Sequence, residues 1–303
     1  MRILVAGGTG FIGSALIREL SASGHEIVAL VRESTTVPGL FPGGVDIRRW
    51  DGRTPGEWCH TMEEVHAVIN LSGASLAGGR WTRRRKVIII QSRIDSTRAL
   101  VAAMRAAVHR PEVLVNASAV GYYGATGEGI VTEENGPGDD FLGATCRQWE
   151  LEASAATALG VRVVLPRFGV VLGPGGGALD RMLVPFRLFV GGPLGSGKQW
   201  YPWVHRDDAV GAMMFTLTHP EMAGPVNAVS PDAVTMRTFA EELGRVLGRP
   251  SWLPVPSFVL RALLGEMAGM ILNGRRIVPA RLLEAGYTFT YPTLRGALQA
   301  TLR

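Results

Sequence analysis

The sequence predicts an α/β protein built on a Rossmann-type, doubly wound parallel sheet with a smaller C-terminal α/β lobe, and three observations predict it. Apolar bursts alternate with helical patterns through the first half of the chain, which is the signature of repeated strand-helix units. The bursts are continuously apolar instead of alternating, as strands covered on both faces must be. A glycine triplet follows the first burst directly, where a dinucleotide-binding turn would stand.

RILVAGG (2–8) reads as the first strand, and EIVALVR (26–32), HAVINLSG (66–73), EVLVNASA (112–119) and RVVLPRFGVVLG (162–173) follow it. They are rich in β-branched residues and mostly too short for helices. Between them FIGSALIRELSASG, SRIDSTRALVAAMRAAV and CRQWELEASAATALG carry apolar residues three and four apart, the helical spacing. After about residue 174 the texture changes to glycine- and proline-rich loops, GPGGGALDRML and GGPLGSGKQWYPW, followed by helical TMRTFAEELGRVLG and SFVLRALLGEMAGMIL. The expected division is a dinucleotide-binding domain over residues 1–173 and a lobe covering the substrate over 174–303, with a boundary that segments can cross.

Composition narrows the class. A chain of 303 residues, 47% hydrophobic and 19% charged, suits a folded globular protein. Two cysteines, Cys59 and Cys146, are too few for a disulfide framework and lack zinc-site spacing, so they are expected as free thiols in a reducing interior. The N-terminus has one basic residue before the glycine motif, unlike a secretory signal, and no uncharged apolar run reaches the roughly 18 residues that span a bilayer. A cytoplasmic location without membrane association is the expectation. The net charge of +5 is almost wholly arginine, Lys86 and Lys198 being the two lysines. The densest basic run, RWTRRRK (80–86), lacks further basic clusters and interleaved aromatics, so it reads as the solvated start of a helix and no nucleic acid is expected. Oligomeric state is not fixed by any of these features.

GGTGFIG places Gly7, Gly10 and Gly13 around Thr9, Phe11 and Ile12, after a strand and at the mouth of a helix. Gly7 makes the tight turn, Gly10 lets the backbone approach a pyrophosphate, and Gly13 lets helix and strand pack closely. The helix N-terminus adds N–H donors and a favourable dipole. About twenty residues on, where an acidic residue would hold a free ribose 2′-hydroxyl, LVRES presents Arg32, able to pair with a 2′-phosphate. NADP is therefore favoured over NAD; the competing reading of Arg32 is a solvated arginine, with Glu33 directly following.

With GGTGFIG, NLSG, RW before SRIDSTRAL, SAVGYYG, RFGVVLGPGGGAL, PFRLFVGGPLGSGKQWYPWVHRDD and GPVNAVSP in order, the chain resembles an extended short-chain dehydrogenase/reductase. It is most similar to the atypical epimerase-family branch, which is NAD-dependent epimerase/dehydratase-like. That resemblance implies that Leu71 and Ser72 lie along the adenosine side of the cofactor, that Gly73 permits close approach, that Arg93 reaches the cofactor, and that Val171 borders the nicotinamide. Packing alone is the competing reading for Leu71 and Val171.

Active members of the superfamily carry a Tyr-x-x-x-Lys pair on the helix after the serine-bearing strand, four residues placing both side chains on one helical face. Here those positions fall on Leu142 and Cys146, and no Tyr-x-x-x-Lys occurs anywhere in the chain. A nucleophilic cysteine needs a neighbouring cation and base, so Cys146 reads as a small packing residue. Ser118, Tyr122 and Tyr123 are the remaining proton-donor candidates, with closure of the pocket as the alternative role for the tyrosines. Lys198, Gln199, Trp203 and His205 are the expected substrate-pocket residues, His205 also being placed to anchor the lobe, and Asp207 and Asp208 to support that junction. Two functions remain open: an NADP-dependent oxidoreductase or epimerase-like enzyme acting on a small organic substrate, or a non-catalytic NADP(H)-binding redox sensor or regulator.

Overall fold

The computed structural model describes residues 1–125 and 129–302. Its central sheet contains β1 (Arg2–Ala6), β2 (Glu26–Arg32), β3 (Asp46–Trp50), β4 (Ala67–Asn70), β5 (Val113–Asn116), β6 (Arg162–Phe168) and β7 (Gly224–Ala228). They lie in the order β7-β6-β5-β4-β1-β2-β3, and every neighbouring pair is parallel. The order reverses between β1 and β4, whose ends are in register at Ala6 and Asn70. That reversal opens a crevice at the carboxyl ends of the strands, the usual ligand position in such sheets.

The central strands are continuously apolar because helices cover both faces. One face carries α1 (Phe11–Ala22) and α5 (Arg206–Thr218), whose Leu16, Ile17, Val210 and Met213 join Ile3, Val5 and Ile69 in one buried cluster. The other carries α2 (Arg83–Ala106), where Leu100 and Met104 pack over Leu4, Val68 and Leu114, with α3 (Phe141–Ser154) beside it. Side chains of Thr82 and Asp140 cap α2 and α3 by accepting from the backbone N–H of Arg85 and Gly143.

The C-terminal lobe has its own core, in which Leu179 and Phe186 of α4 (Gly177–Arg187) meet Phe239 and Leu243 of α6 (Met236–Leu247) and Leu298 of the last helix, Leu294–Leu302. Small strand pairs join it to the first half. Val170–Leu172 runs parallel with Trp203–His205, and Trp200–Tyr201 runs antiparallel with Val234–Thr235. Among the described residues no helix is long and apolar enough to cross a membrane.

Segments do cross the expected boundary at residue 173: β7 and α5 come from beyond it and complete the sheet and its covering layer. Three expectations need correction. β3 and β7 are edge strands that the sequence reading missed, DIRRW being half exposed and GPVNA containing glycine and proline. α2 and α3 begin nine and five residues before the apolar periodicity suggested, at Arg83 and Phe141. The RWTRRRK run is more than a solvated helix start: Trp81 is buried, Arg85 donates to the carbonyl of Ser75, and Lys86 pairs with Glu266 of the C-terminal lobe.

Candidate functional site

The glycine loop is built by crowding. Gly7 has φ +84°, and a Cβ there would lie 2.6 Å from the carbonyl carbon of Leu71 and 2.8 Å from the nitrogen of Ser72. The exits of β1 and β4 therefore touch backbone to backbone. A Cβ on Gly13 would run into the Gly7 carbonyl oxygen and lie 2.8 Å from the Gly8 Cα, so α1 can start directly over the turn only without a side chain there. Gly10 is less confined, its added Cβ meeting Gly7 oxygen at 3.3 Å, and it borders open space. Ile12 packs on the core behind the loop. In front of it a cavity of about 480 Å³ is lined by Thr9, Gly10, Phe11, Ser14 and Arg18 on one side and Pro174, Gly175 and Arg206 on the other.

Arg32 ends β2 with its side chain exposed, and Arg49 of β3 fastens the turn behind it by donating to the carbonyls of Arg32 and Thr35, both at 2.9 Å. On β4, the N–H of Leu71 donates to Ala6 at 2.8 Å and that of Ser72 to Asn70 Oδ1 at 3.1 Å. Asn70 is itself fixed by donating to Asn116 Oδ1 (2.7 Å) and Thr97 Oγ1 (3.0 Å). Ser72 Oγ is buried with no partner among the described residues. Gly73 lies against Arg93, where a Cβ would be 3.2 Å from the guanidinium carbon. Arg93 donates to the carbonyls of Ala74 (3.1 Å) and Ile89 (2.9 Å) and sits 5.1 Å over the Trp149 ring. No carboxylate pairs with it among the described residues, and burial holds its pKa below the ordinary arginine value. Val171 lies in the short strand beside Val204, where the first half meets the lobe.

Leu142, on α3, is pressed by the turn Val120–Tyr123: a Cβ on Gly121 would lie 3.1 Å from the Leu142 Cβ. Leu142 joins an apolar cluster with Trp81, Ile89, Phe141, Leu264 and Met267. Cys146 is 4% exposed, and burial, reinforced by the charge of Glu150, pushes its thiol up to about 12. It stays protonated and is no nucleophile.

Two of the three proton-donor candidates, Ser118 and Tyr123, lie in a buried polar chain. Ser118 donates to Glu150 Oε1 at 2.6 Å, and Arg167 grips the same carboxylate with two bonds of 2.8 Å. Arg167 also donates to the Tyr123 hydroxyl (2.8 Å), which donates to Asn227 Oδ1 (2.6 Å). The N–H of Asn227 donates to Glu133 at 2.9 Å. Tyr123 is 1% exposed, and burial raises its pKa to about 12. Its proton already has an acceptor. Tyr122 differs: it is half-buried, its ring lies 3.5 Å from the Arg167 guanidinium, and its hydroxyl makes no hydrogen bond among the described residues.

Trp203 is 1% exposed and donates from its indole to the carbonyl of Asp232. His205 is 2% exposed, caps α5 by accepting from the N–H of Asp207, and lies 4.0 Å from the Tyr291 ring, and burial lowers its pKa below the ordinary histidine value. Both belong to the lobe junction. Asp208 serves that junction too, accepting from the N–H groups of Thr290 (2.6 Å) and Tyr291 (3.0 Å). Gln199 spends its amide on the carbonyls of Leu194 and Ile271, while Lys198 is exposed. Glu150, Arg167, Asn227 and Arg206 escaped the sequence reading. They come from separate elements, and no local spacing connects them.

Residues 3–229 match the model of the NAD dependent epimerase/dehydratase family, and residues 255–301 match a domain of unknown function, DUF1731. The chloroplastic epimerase family protein SDR39U1 homolog of Arabidopsis thaliana is 41% identical, the alignment covering 100% of this chain and 87% of the relative. Epimerase family protein YfhF of Bacillus subtilis is 37% identical, with 98% and 97% covered. The crystal structure of the human epimerase family protein SDR39U1 with NADPH superposes with a TM-score of 0.88 at 35% identity, covering 99% of each chain. Sequence, fold and crowded glycine turn agree: the chain belongs to the NAD-dependent epimerase/dehydratase family, on an extended short-chain dehydrogenase/reductase fold.

Proposed function

We propose that this chain binds NADP(H) in the crevice between β1 and β4 and uses it to move hydride to or from a small organic substrate. The observation that carries the cofactor reading is the turn itself: Gly7 and Gly13 admit no Cβ, and the unpartnered Ser72 Oγ is buried at the same strand end. The residues fit the dinucleotide. Thr9, Gly10, Phe11, Ile12 and Gly13 at the start of α1 would receive the pyrophosphate, and Arg32 a 2′-phosphate. Leu71, Ser72, Gly73 and Arg93 would line the middle of the cofactor, and Val171 its nicotinamide end. The human relative crystallised with NADPH supports the same choice. When bound, the nicotinamide supplies or accepts the hydride.

Proton exchange falls to Tyr122, because Ser118 and Tyr123 are committed to the buried chain and Leu142 and Cys146 offer no proton at neutral pH. A second reading, a non-catalytic NADP(H) sensor, is favoured by one observation: the apolar seal of Leu142 against Gly121. A substrate screen following NADPH absorbance separates the two. The enzyme reading expects a turnover that drops at least about a hundredfold in Tyr122→Phe with NADPH binding intact; a full-rate variant removes Tyr122 from the chemistry. For the cofactor, fluorescence titration expects NADPH to bind more tightly than NADH, with Arg32→Ala erasing most of the difference. Equal affinities in the wild-type protein would sink the 2′-phosphate assignment.

A further inference from the structure

The cavity in front of α1 has a second wall made by the other half of the chain, and that wall is cationic. Arg206 opens α5 and reaches back over the glycine loop, its guanidinium 5.1 Å from the Phe11 ring. Its Nη1 donates to the carbonyl of Pro174 at 2.8 Å, while its Nε is buried without a hydrogen-bond partner. The carboxylate nearest to it, on Asp207, is 3.9 Å away and half exposed, a long contact for an ion pair. Arg18, one helical turn beyond Ser14, faces the same space and makes no ion pair among the described residues. Phe11 is held between Arg206 and the loop after β6, where a Cβ on Gly176 would lie 2.9 Å from the ring. The glycine-rich GPGGG run thus lets the second wall close down on the first.

Two guanidinium groups facing one cavity repel each other unless an anion stands between them. Burial lowers the Arg206 pKa, and neighbouring Arg18 lowers it further, against the partial relief that Asp207 gives. The α1 N-terminus presents its free N–H groups from the opposite side of the same cavity.

We infer that Arg206, assisted by Arg18, clamps the cofactor's pyrophosphate from the side opposite the α1 N-terminus, so that the phosphate site is completed by the second half of the chain. The inference rests on the NADP(H) reading above and adds to it two residues outside the glycine motif. It also gives the WVHRDD stretch a role at the cofactor: His205 caps α5 and Arg206 projects from that capped end into the phosphate cavity.

The test is fluorescence or calorimetric titration of the full chain with NADPH and with ADP, which carries a pyrophosphate and no 2′-phosphate. Arg206→Gln is expected to weaken both ligands about tenfold and to flatten the dependence of affinity on salt, because one charge leaves the site. The preference for NADPH over NADH stays as in the wild type. Arg206→Lys recovers part of the loss, restoring charge without the two-pronged donor geometry. Unchanged affinity in Arg206→Gln overturns the clamp, and so does a loss for NADPH with none for ADP. Should Arg206→Gln melt early, Arg18→Gln decides, since Arg18 is an exposed side chain on α1: about a threefold loss with a flatter salt dependence supports the clamp, and wild-type behaviour overturns it. A wild-type chain that binds neither NADPH nor NADH sinks the functional reading itself, a result distinct from both.

Discussion

Glu150 and Arg167 form the most committed pair of side chains in the protein. Their side chains are 9% and 3% exposed, and the carboxylate receives two bonds from the guanidinium and one from Ser118. Removing one partner of a buried pair strands the other charge away from water, which costs about 3 to 5 kcal/mol, whereas replacing both by apolar residues of similar size is often close to neutral. Glu150→Gln is therefore expected to lower unfolding stability by about that 3 to 5 kcal/mol in urea titration, and Glu150→Leu combined with Arg167→Met to recover a large part of it. Additive losses in the double variant would show that the pair is not the unit. The same chain explains why Ser118 and Tyr123 looked catalytic in the sequence. A hydroxyl at the end of a strand and a tyrosine four or five residues later have the composition of an active site, and only the positions of Glu150, Arg167 and Asn227, each on a different element, reveal that these hydroxyls are already occupied. Gly7 and Gly13 were legible because their constraint is local, whereas Arg206 was not, because its constraint joins residues nearly two hundred positions apart.

At the scale of elements, the sequence revealed what periodicity encodes. The five apolar strands became β1, β2, β4, β5 and β6, and the helical patterns became α1, α2 and α3. Missed starts and edges have a physical reason: the first turns of α2 and α3 are held by Thr82 and Asp140 caps and by contacts with the lobe, while β3 and β7 lie at sheet edges where an apolar run is not required. The contact between α6 and the last helix makes a prediction of its own. Glu242 of α6 receives Arg295 of the last helix at 2.8 and 3.1 Å and Arg245 of its own helix. Arg295 first, then the charge of Arg245, hold the Glu242 pKa below the ordinary glutamate value against the opposing effect of burial. A carboxyl with a depressed folded-state pKa contributes stability that is complete above its unfolded pKa, about 4.3, and is lost as pH falls through the folded value. Glu242→Gln should thus destabilise the chain at pH 7 and narrow the difference between urea midpoints at pH 7 and pH 3. An undiminished difference would place the acid sensitivity elsewhere.

One buried core joins the two halves that the sequence reads as separate units. A single buried cluster runs from Ile3 in β1 to Phe289 near the C-terminus, and it includes Val210 and Met213 of α5 with Val226 and Ala228 of β7. β7 pairs along β6 from Gly224 opposite Val164 to Ala228 opposite Phe168, so without it β6 would present a bare, apolar edge. Without α5, the face of β5 and β6 carrying Val113, Val115 and Val164 would lose its cover. Asp208 draws in the other direction, holding Thr290 and Tyr291 to the start of α5. The textural change near residue 174 marks where glycine-rich loops begin, and the sheet is finished only beyond it. A fragment of residues 1–173 is therefore expected to lack a cooperative thermal transition and to show poorly dispersed amide resonances, while the full chain melts in one step. The fragment should also fail to bind NADPH, because Arg206 and the loop after β6 are missing from the phosphate cavity. A fragment with dispersed resonances and its own sharp melting transition would show that β7 and α5 decorate a domain already complete, and the single-unit view would fall with it.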